Sequence, residues 1–224
     1  MKHLKTFAAL CCMAAVFAAC EKNNVGSVTG TENGHDYVDL GLSVKWATCN
    51  VGAIKPEEYG SYYAWGETEP KTTYDWSTYK WCNGSWDNFT KYNTHSSFGT
   101  VDNKTVLELA DDAAAVNWGV AWRMPTVEEW EELRRNCTWT WTTRNNVNGF
   151  EVKGTNGNSI FLPAAGWRDN DDLYVAGRYG HYWSSSLIPD CRGVAWYMSF
   201  IPGSVYGNYD DYRYYGQSVR AVCD

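Results

Sequence analysis

From residue 35 onward, short apolar or aromatic runs alternate with Gly, Asn and Asp, the punctuation of brief strands and turns. The run at 38–50 (VDLGLSVKWATCN) reads as strand with a turn at Gly41, and 62–66 as a short aromatic strand. Further strands are expected at 139–142, 150–153, 159–163, 181–185, 193–200 and 218–223. Two stretches carry helix signals instead. At 105–116, TVLE offers a capping box with Glu108. At 126–135, Thr126 caps, Glu129 follows three residues later, and Val127, Trp130 and Leu133 recur on one face while Glu128, Glu131, Glu132, Arg134 and Arg135 cover the other. Pro125 ends the preceding strand just before that cap. Residues 68–104 are rich in Thr, Asn, Tyr and Trp and too long for a simple connection. Few helices among many short strands define an α+β domain over 35–224.

The first residues follow a different pattern. Lys2 and Lys5 precede an apolar run at 7–19, too short to cross roughly 30 Å of hydrocarbon, which takes about 20 residues. The run ends in FAAC, a lipobox-like sequence in which Cys20 is lipidated and becomes the mature N-terminus. An ordinary secretory signal cut after Ala19 is the alternative. Residues 1–19 are therefore assigned to a lipoprotein signal peptide and 20–34, polar and Gly-rich, to a flexible tether. The expected location is the cell envelope, lipid-anchored to the outer membrane, with the anchor as the membrane contact.

The net charge is −7, and losing Lys2 and Lys5 with the leader makes it −9. A chain this acidic lacks the basic footprint that holds phosphate backbones, so nucleic acid is not an expected partner. Five cysteines remain beyond Cys20: Cys49, Cys82, Cys137, Cys191 and Cys223. An exported protein is permitted disulfides, and the expected pairs are Cys49 with Cys223 and Cys82 with Cys137, leaving Cys191 as the free thiol. No CxxC occurs, so no zinc site, cofactor or other metal is assigned.

Several motifs in order resemble known families. WRMPTVEEWEEL at 122–133 resembles the signature of formylglycine-generating-enzyme-like domains, and GQSVRAVC at 216–223 resembles their closing strand. HDYVDLGLSVKWATCNVGA, YYAWGET, LPAAGWR and YWSSS resemble the Fibrobacter succinogenes major paralogous domain family, lipoproteins of gut bacteria. The resemblance spans nearly all of 35–224. It implies a C-type-lectin-like fold with two helices, many short antiparallel strands and long loops, in which the terminal strands pair and a loop-rich half presents a ligand surface. In some branches of that wider fold the C-terminal half is diversified by a retroelement.

The oxidase branch works through two neighbouring cysteines near the C-terminus. Here Cys191 lies 32 residues before Cys223, and His35, His95 and His181 are scattered without a catalytic neighbour, so no catalytic residue is assigned. Arg123 reads as structural, fixing the helix start. Glu69-Pro70-Lys71 only half matches the sugar-site run of calcium-dependent lectins, and Asp169, Asp171 and Asp172 lack the distal Glu of a calcium loop, reading instead as a polar surface loop.

A composition break changes the picture most. All 10 Lys and 12 Glu lie at or before Lys153; the next 71 residues hold none, yet nine Tyr fall between Tyr174 and Tyr215. Tyr, Ser, Asn and Asp give contact area at low rotamer cost, whereas interfaces deplete Lys and Glu. In 195–200, alternation puts Trp196, Met198 and Phe200 toward a core and Tyr197 and Ser199 toward solvent. Residues 203–215 (GSVYGNYDDYRYY) read as an exposed loop, with 187–192 as its neighbour. The candidate ligand-binding residues are Asp190, Tyr197, Ser199, Tyr206, Asn208, Tyr209, Asp210, Asp211 and Tyr214, facing a glycan or protein at the cell surface. Apart from Trp196 and Met198, residues 187–211 fit the alphabet produced when an Asn codon is altered at its two adenines, which excludes Lys, Glu and Gln. A fimbrial or cell-envelope structural subunit is the alternative reading, with an oxidase of the formylglycine-generating type behind it.

Overall fold

The computed structural model describes residues 28–224. The leader, Cys20 and tether residues 21–27 lie outside them. The fold is α+β and dominated by antiparallel strands. β1 (Gly30–Glu32), β2 (His35–Val38) and β3 (Lys45–Ala47) form a four-stranded sheet closed by β14 (Val222–Cys223), in the order β1-β2-β3-β14. The two ends of the domain thereby meet, with Val222 opposite Trp46 and Cys223 opposite Lys45. The expected strand at 38–50 shortens to β3, because the chain turns at Gly41, which has φ +76°.

A five-stranded sheet has the order β12-β11-β10-β13-β4, built from β4 (Tyr62–Tyr63), β10 (Gly180–Leu187), β11 (Val194–Ile201), β12 (Ser204–Tyr212) and β13 (Gln217–Ser218). Its one parallel pair is β10–β13. β5 (Thr138–Arg144), β6 (Val147–Lys153) and β7 (Ser159–Pro163) make a third antiparallel sheet, and β8 (Trp167–Asp169) with β9 (Asp172–Tyr174) a hairpin. The hairpin replaces the loop expected around Asp169, Asp171 and Asp172.

Helix α1 (Ala113–Trp118) starts eight residues later than the TVLE signal predicts. The Val106 backbone bridges to Ser186 in the strand manner, and Leu107 N–H donates to the Ser185 carbonyl, so residues 105–108 are drawn out of a helix by tertiary pairing. Asp112 supplies the cap instead, accepting from the amides of Ala114 and Ala115, while its other oxygen accepts from Met124 N–H. Helix α2 (Val127–Asn136) begins as its sequence predicts, with a full capping box between Thr126 and Glu129. Arg123 grips Glu129 through two donors, at 2.7 and 2.6 Å, which fixes the entry of the chain into the helix.

Trp130 carries α2 onto the sheet, its ring 4.7 Å from Trp46 and 5.7 Å from Tyr182 and its N–H on the Trp183 carbonyl. Other tryptophans repeat the device: Trp65 donates to the Ser184 carbonyl, Trp183 to Tyr63 and Trp122 to Glu32. Each ring thus fills core volume while its polar edge is paired. The bulge in β10 between Trp183 and Leu187 holds Ser184, Ser185 and Ser186, all buried. Ser184 Oγ donates to the Trp196 carbonyl, Ser185 Oγ to that of Pro125, and Ser186 Oγ accepts from Val127 N–H at the start of α2.

Arg220 is wholly buried and faces no carboxylate. Its Nε donates to Asn50 Oδ1, Nη1 to the carbonyls of Ala47 and Thr48, and Nη2 to that of Phe161, each at 2.9 Å. One side chain therefore ties the C-terminal segment to the β3 exit and to β7.

No disulfide is present among the described residues; Cys49, Cys82, Cys137, Cys191 and Cys223 are all free thiols. The expected pairs are corrected by the topology. Cys223 lies opposite Lys45, whereas the Val51–Val219 bond puts Cys49 four residues further along the same pairing, roughly 13 Å away at strand rise. A disulfide needs Cα atoms within about 7 Å. Cys82 is packed among Tyr62, Tyr74, Tyr79 and Phe89, and Cys137 against the separate core around Trp130 and Phe150.

Two outcomes are expected. Arg220→Met leaves buried carbonyls without donors, each costing about 1–3 kcal/mol, partly offset by removal of a buried charge; a net loss of about 3–5 kcal/mol is expected. Calorimetry should show the thermal midpoint falling by roughly 10 °C, and a shift below about 3 °C would contradict the assigned role. Burial pushes the Glu129 carboxyl up, but the Arg123 fork and the Thr126 bonds outweigh it and hold it below the ordinary 4.5. Its stabilisation is complete above that value and lost as pH falls through the depressed one. Urea unfolding should therefore show the parent chain losing more stability than Glu129→Gln between about pH 5 and about pH 3.

Candidate functional site

The residues expected to form an exposed loop after Ile201 form strand β12, the edge of the five-stranded sheet. Register decides what it displays. His181 lies opposite Ser199 and Ser199 opposite Tyr206; Trp183 lies opposite Tyr197 and Tyr197 opposite Tyr209; Ala195 lies opposite Asp211. Directly opposed residues share a face, so these side chains line one side of the sheet. Tyr206 and Tyr209 are three residues apart and would point to opposite sides of a regular strand. The irregularity in β12 opposite Tyr197–Ser199 adds one residue and returns both to the same side, with ring centroids 5.5 Å apart. Gly207 occupies that irregularity, and a Cβ there would stand 2.5 Å from Glu131 Oε2 on α2.

A continuous run of rings crosses this face. Trp167 lies tilted against His181 at 4.4 Å, His181 stacks on Tyr197 at 4.9 Å, and Tyr197 meets Tyr209 edge-on at 6.5 Å. Exposure grows along the run, from buried His181 through half-buried Tyr197 and Tyr206 to Tyr209, which is 50% exposed. At its foot, Asp211 Oδ2 accepts from Gln217 Nε2 at 2.9 Å and lies 3.8 Å from His181 Nδ1, too far for a hydrogen bond. His181 Nδ1 and Gln217 Oε1 have no partner among the described residues. Burial pushes the Asp211 carboxyl above 3.8 and the Tyr197 hydroxyl above 10.0.

Of the sequence-predicted residues, Tyr197, Ser199, Tyr206, Tyr209 and Asp211 come together here. Ser199 and Tyr197 are corrected from open to covered positions: Ser199 is buried, and Tyr197 packs against the core of Trp65, Trp183 and Ala195. Trp196 is corrected as well. It is half-buried opposite exposed Asp210, on the reverse side of the sheet, while Met198 and Phe200 enter the core as expected. Asp210 thus leaves the site. Asp190 lies on a separate loop and accepts from Thr94 Oγ1 at 3.0 Å. Tyr214 follows β12 and packs on Trp76 at 4.7 Å. The Asn208 side chain lies outside the described residues.

Sequence reasoning missed His181, Trp167 and Gln217. His181 sits two residues before Trp183 in one strand, so period-two reading of 181–185 places it on the Tyr197 side; Trp167 and Gln217 arrive from other elements, and no local pattern announces them. Also missed is a concavity of about 480 Å³ lined by Trp76, Trp86, Arg192 and Tyr212. A second one of about 520 Å³ includes Lys71, Tyr74, Arg168 and Asp171. Cys49 lines one cavity and Cys223 another, so the two sulfurs do not share a chamber.

No protein-family model matches the chain, and neither a curated protein nor a solved structure matches it.

The raised Asp211 carboxyl has a signed consequence. A folded state that holds its proton above the ordinary value loses stability as pH climbs from 3.8 through the raised value. Asp211→Asn keeps an acceptor for Gln217 without that loss. Relative to the parent chain, the variant should gain stability as pH rises above 3.8 in urea titrations, and a constant difference would refute the assignment.

Proposed function

We propose that this chain is an exported, lipid-anchored binding protein with a C-type-lectin-like domain, acting by recognition rather than catalysis. The observation that carries the proposal is the bulged edge strand that turns Tyr206 and Tyr209 to one side with Tyr197, backed by the rings of Trp167 and His181. Paired terminal strands and the capped helix over the sheet support the lectin-like reading. Rigid rings with hydroxyl tips, beside Asp211, suit either the C–H faces and hydroxyls of a glycan or a protein epitope. Cys20 is the proposed lipid site, and among the described residues no helix is long and apolar enough to cross a membrane. The five assembled residues all fall within 187–211, which supports diversification by a retroelement; the coding region would then lie near an adenine-rich template copy and a reverse transcriptase.

One feature favours the alternative, a structural subunit of the cell envelope: β12 is a nine-residue edge strand with one unpaired side, onto which another chain's strand could add. Concentration-dependent assembly of the purified chain distinguishes it.

The test is a glycan and protein array probed with the full chain and with Tyr206→Ala and Tyr209→Ala. Truncating a central aromatic anchor costs about 2 kcal/mol or more, so binding to at least one ligand found should weaken at least tenfold with an unchanged thermal midpoint. Unchanged binding in both variants would remove this face from the function.

A further inference from the structure

The concavity of about 480 Å³ lies beyond the strand face, on the side to which Tyr212 points, and its volume is in the roughly 300–1,000 Å³ range of small-molecule sites. Trp76, Trp86 and Tyr212 supply its rings and Arg192 its charge. Trp86 is 42% exposed and Tyr212 47%, so both keep open ring surface. Tyr212 is held by stacking on Tyr214 at 5.7 Å and by the edge of Trp76 at 5.9 Å.

Arg192 is placed by the same aromatic wall. Its guanidinium lies 3.8 Å over Trp86 and 4.7 Å from Phe98. Stacking uses the flat face of the group and leaves the in-plane fork of N–H donors unspent. Among the described residues Arg192 has no hydrogen-bond or ion-pair partner. Of the carboxylates near the lining residues in sequence, Asp75 bonds Ser77 and Thr78, Asp87 bonds Ser85, Asp190 bonds Thr94 and Asp211 bonds Gln217, while exposed Asp210 makes no ion pair with Arg192. Gly193 brings the arginine there. It has φ +67°, and a Cβ would stand 2.7 Å from the Trp76 ring, so only glycine lets the backbone press so close.

We propose that this concavity is a second binding site, distinct from the strand face, for a short saccharide bearing a carboxylate, of the uronic-acid class. The rings of Trp86, Trp76 and Tyr212 pack against the polarised C–H face of the pyranose, and Arg192 receives the carboxylate through two parallel N–H donors. Ring area beside an uncompensated planar cation favours such a sugar over an acidic peptide, whose side chains offer no flat apolar face. The net charge of −7 disfavours long polyanions, hence a short ligand.

The test is a calorimetric titration of the full chain with digalacturonate, its dimethyl ester, the neutral disaccharide and an Asp-rich tripeptide, with tryptophan fluorescence followed in parallel. Digalacturonate should bind saturably, and the other three at least tenfold more weakly. Arg192→Lys, which keeps charge but not the fork, should weaken binding about tenfold; Arg192→Gln and Trp86→Ala should weaken it further, with unchanged thermal midpoints. Tyr206→Ala and Tyr209→Ala should leave it intact, which separates this site from the strand face. The proposal is overturned if digalacturonate does not saturate, if the ester or tripeptide binds equally well, if Arg192→Gln binds normally, or if the strand-face variants abolish binding.

Discussion

The structure depends on a buried cation answered by neutral oxygens. Arg220 enters the interior without a carboxylate and is held by three backbone carbonyls and an asparagine. An isolated charge is costly to bury, so the arrangement persists only where every donor is matched and the acceptors are fixed. That requirement acts outward. Asn50, which accepts from Arg220, itself donates to the Tyr59 carbonyl, and Tyr182 next to it donates to the Pro163 carbonyl at 2.6 Å. The C-terminal segment, the β3 exit, β7 and β10 are thus set relative to one another by a single connected polar cluster. The strand that carries the rings hangs on β11, and β11 on β10.

The indole frame uses the same economy of partners. Trp65, Trp122, Trp130 and Trp183 each place their N–H on a backbone carbonyl of another segment, so aromatic volume and polar matching are delivered by one side chain. Arg213 extends the pattern toward the concavity lined by Trp76 and Arg192, buried with its guanidinium 3.8 Å over Phe89, which meets Trp76, and donating to the Tyr92 carbonyl. A stiff frame of this kind allows polar, loosely patterned strands to lie on its surface without deforming it.

How much of this was legible in the sequence follows from where each signal resides. Helix α2 and strand β7 carry their instructions locally, in the Thr126–Glu129 box and an unbroken buried run, and both form where expected. The TVLE signal at 105–108 is equally local but loses to backbone bridging with β10. Taken alone, the β12 sequence reads as a loop because its Gly, Asn and Asp oppose strand propensity; pairing with β11 supplies what its own residues lack. Alternation in 195–200 assigns Trp196 inward with Met198 and Phe200, yet it lies opposite exposed Asp210 and stays half-buried. The composition break and five of the nine candidate residues are legible in the sequence, whereas the backing of the face, Trp167, His181 and Gln217, comes from three elements joined only by the fold.

The extra residue in β12 makes the face sensitive to chain length in a way it is not to chemistry. Exchanging one side chain for another alters a single spot, because each position keeps its outward or inward sense. Dropping or inserting one amino acid near Gly207 would instead rotate everything beyond it by half a turn, sending Asp210 and Tyr212 where Tyr209 and Asp211 now stand. A lineage varying this surface would therefore be confined to swaps at constant spacing, and related chains should differ here in letters while agreeing in count.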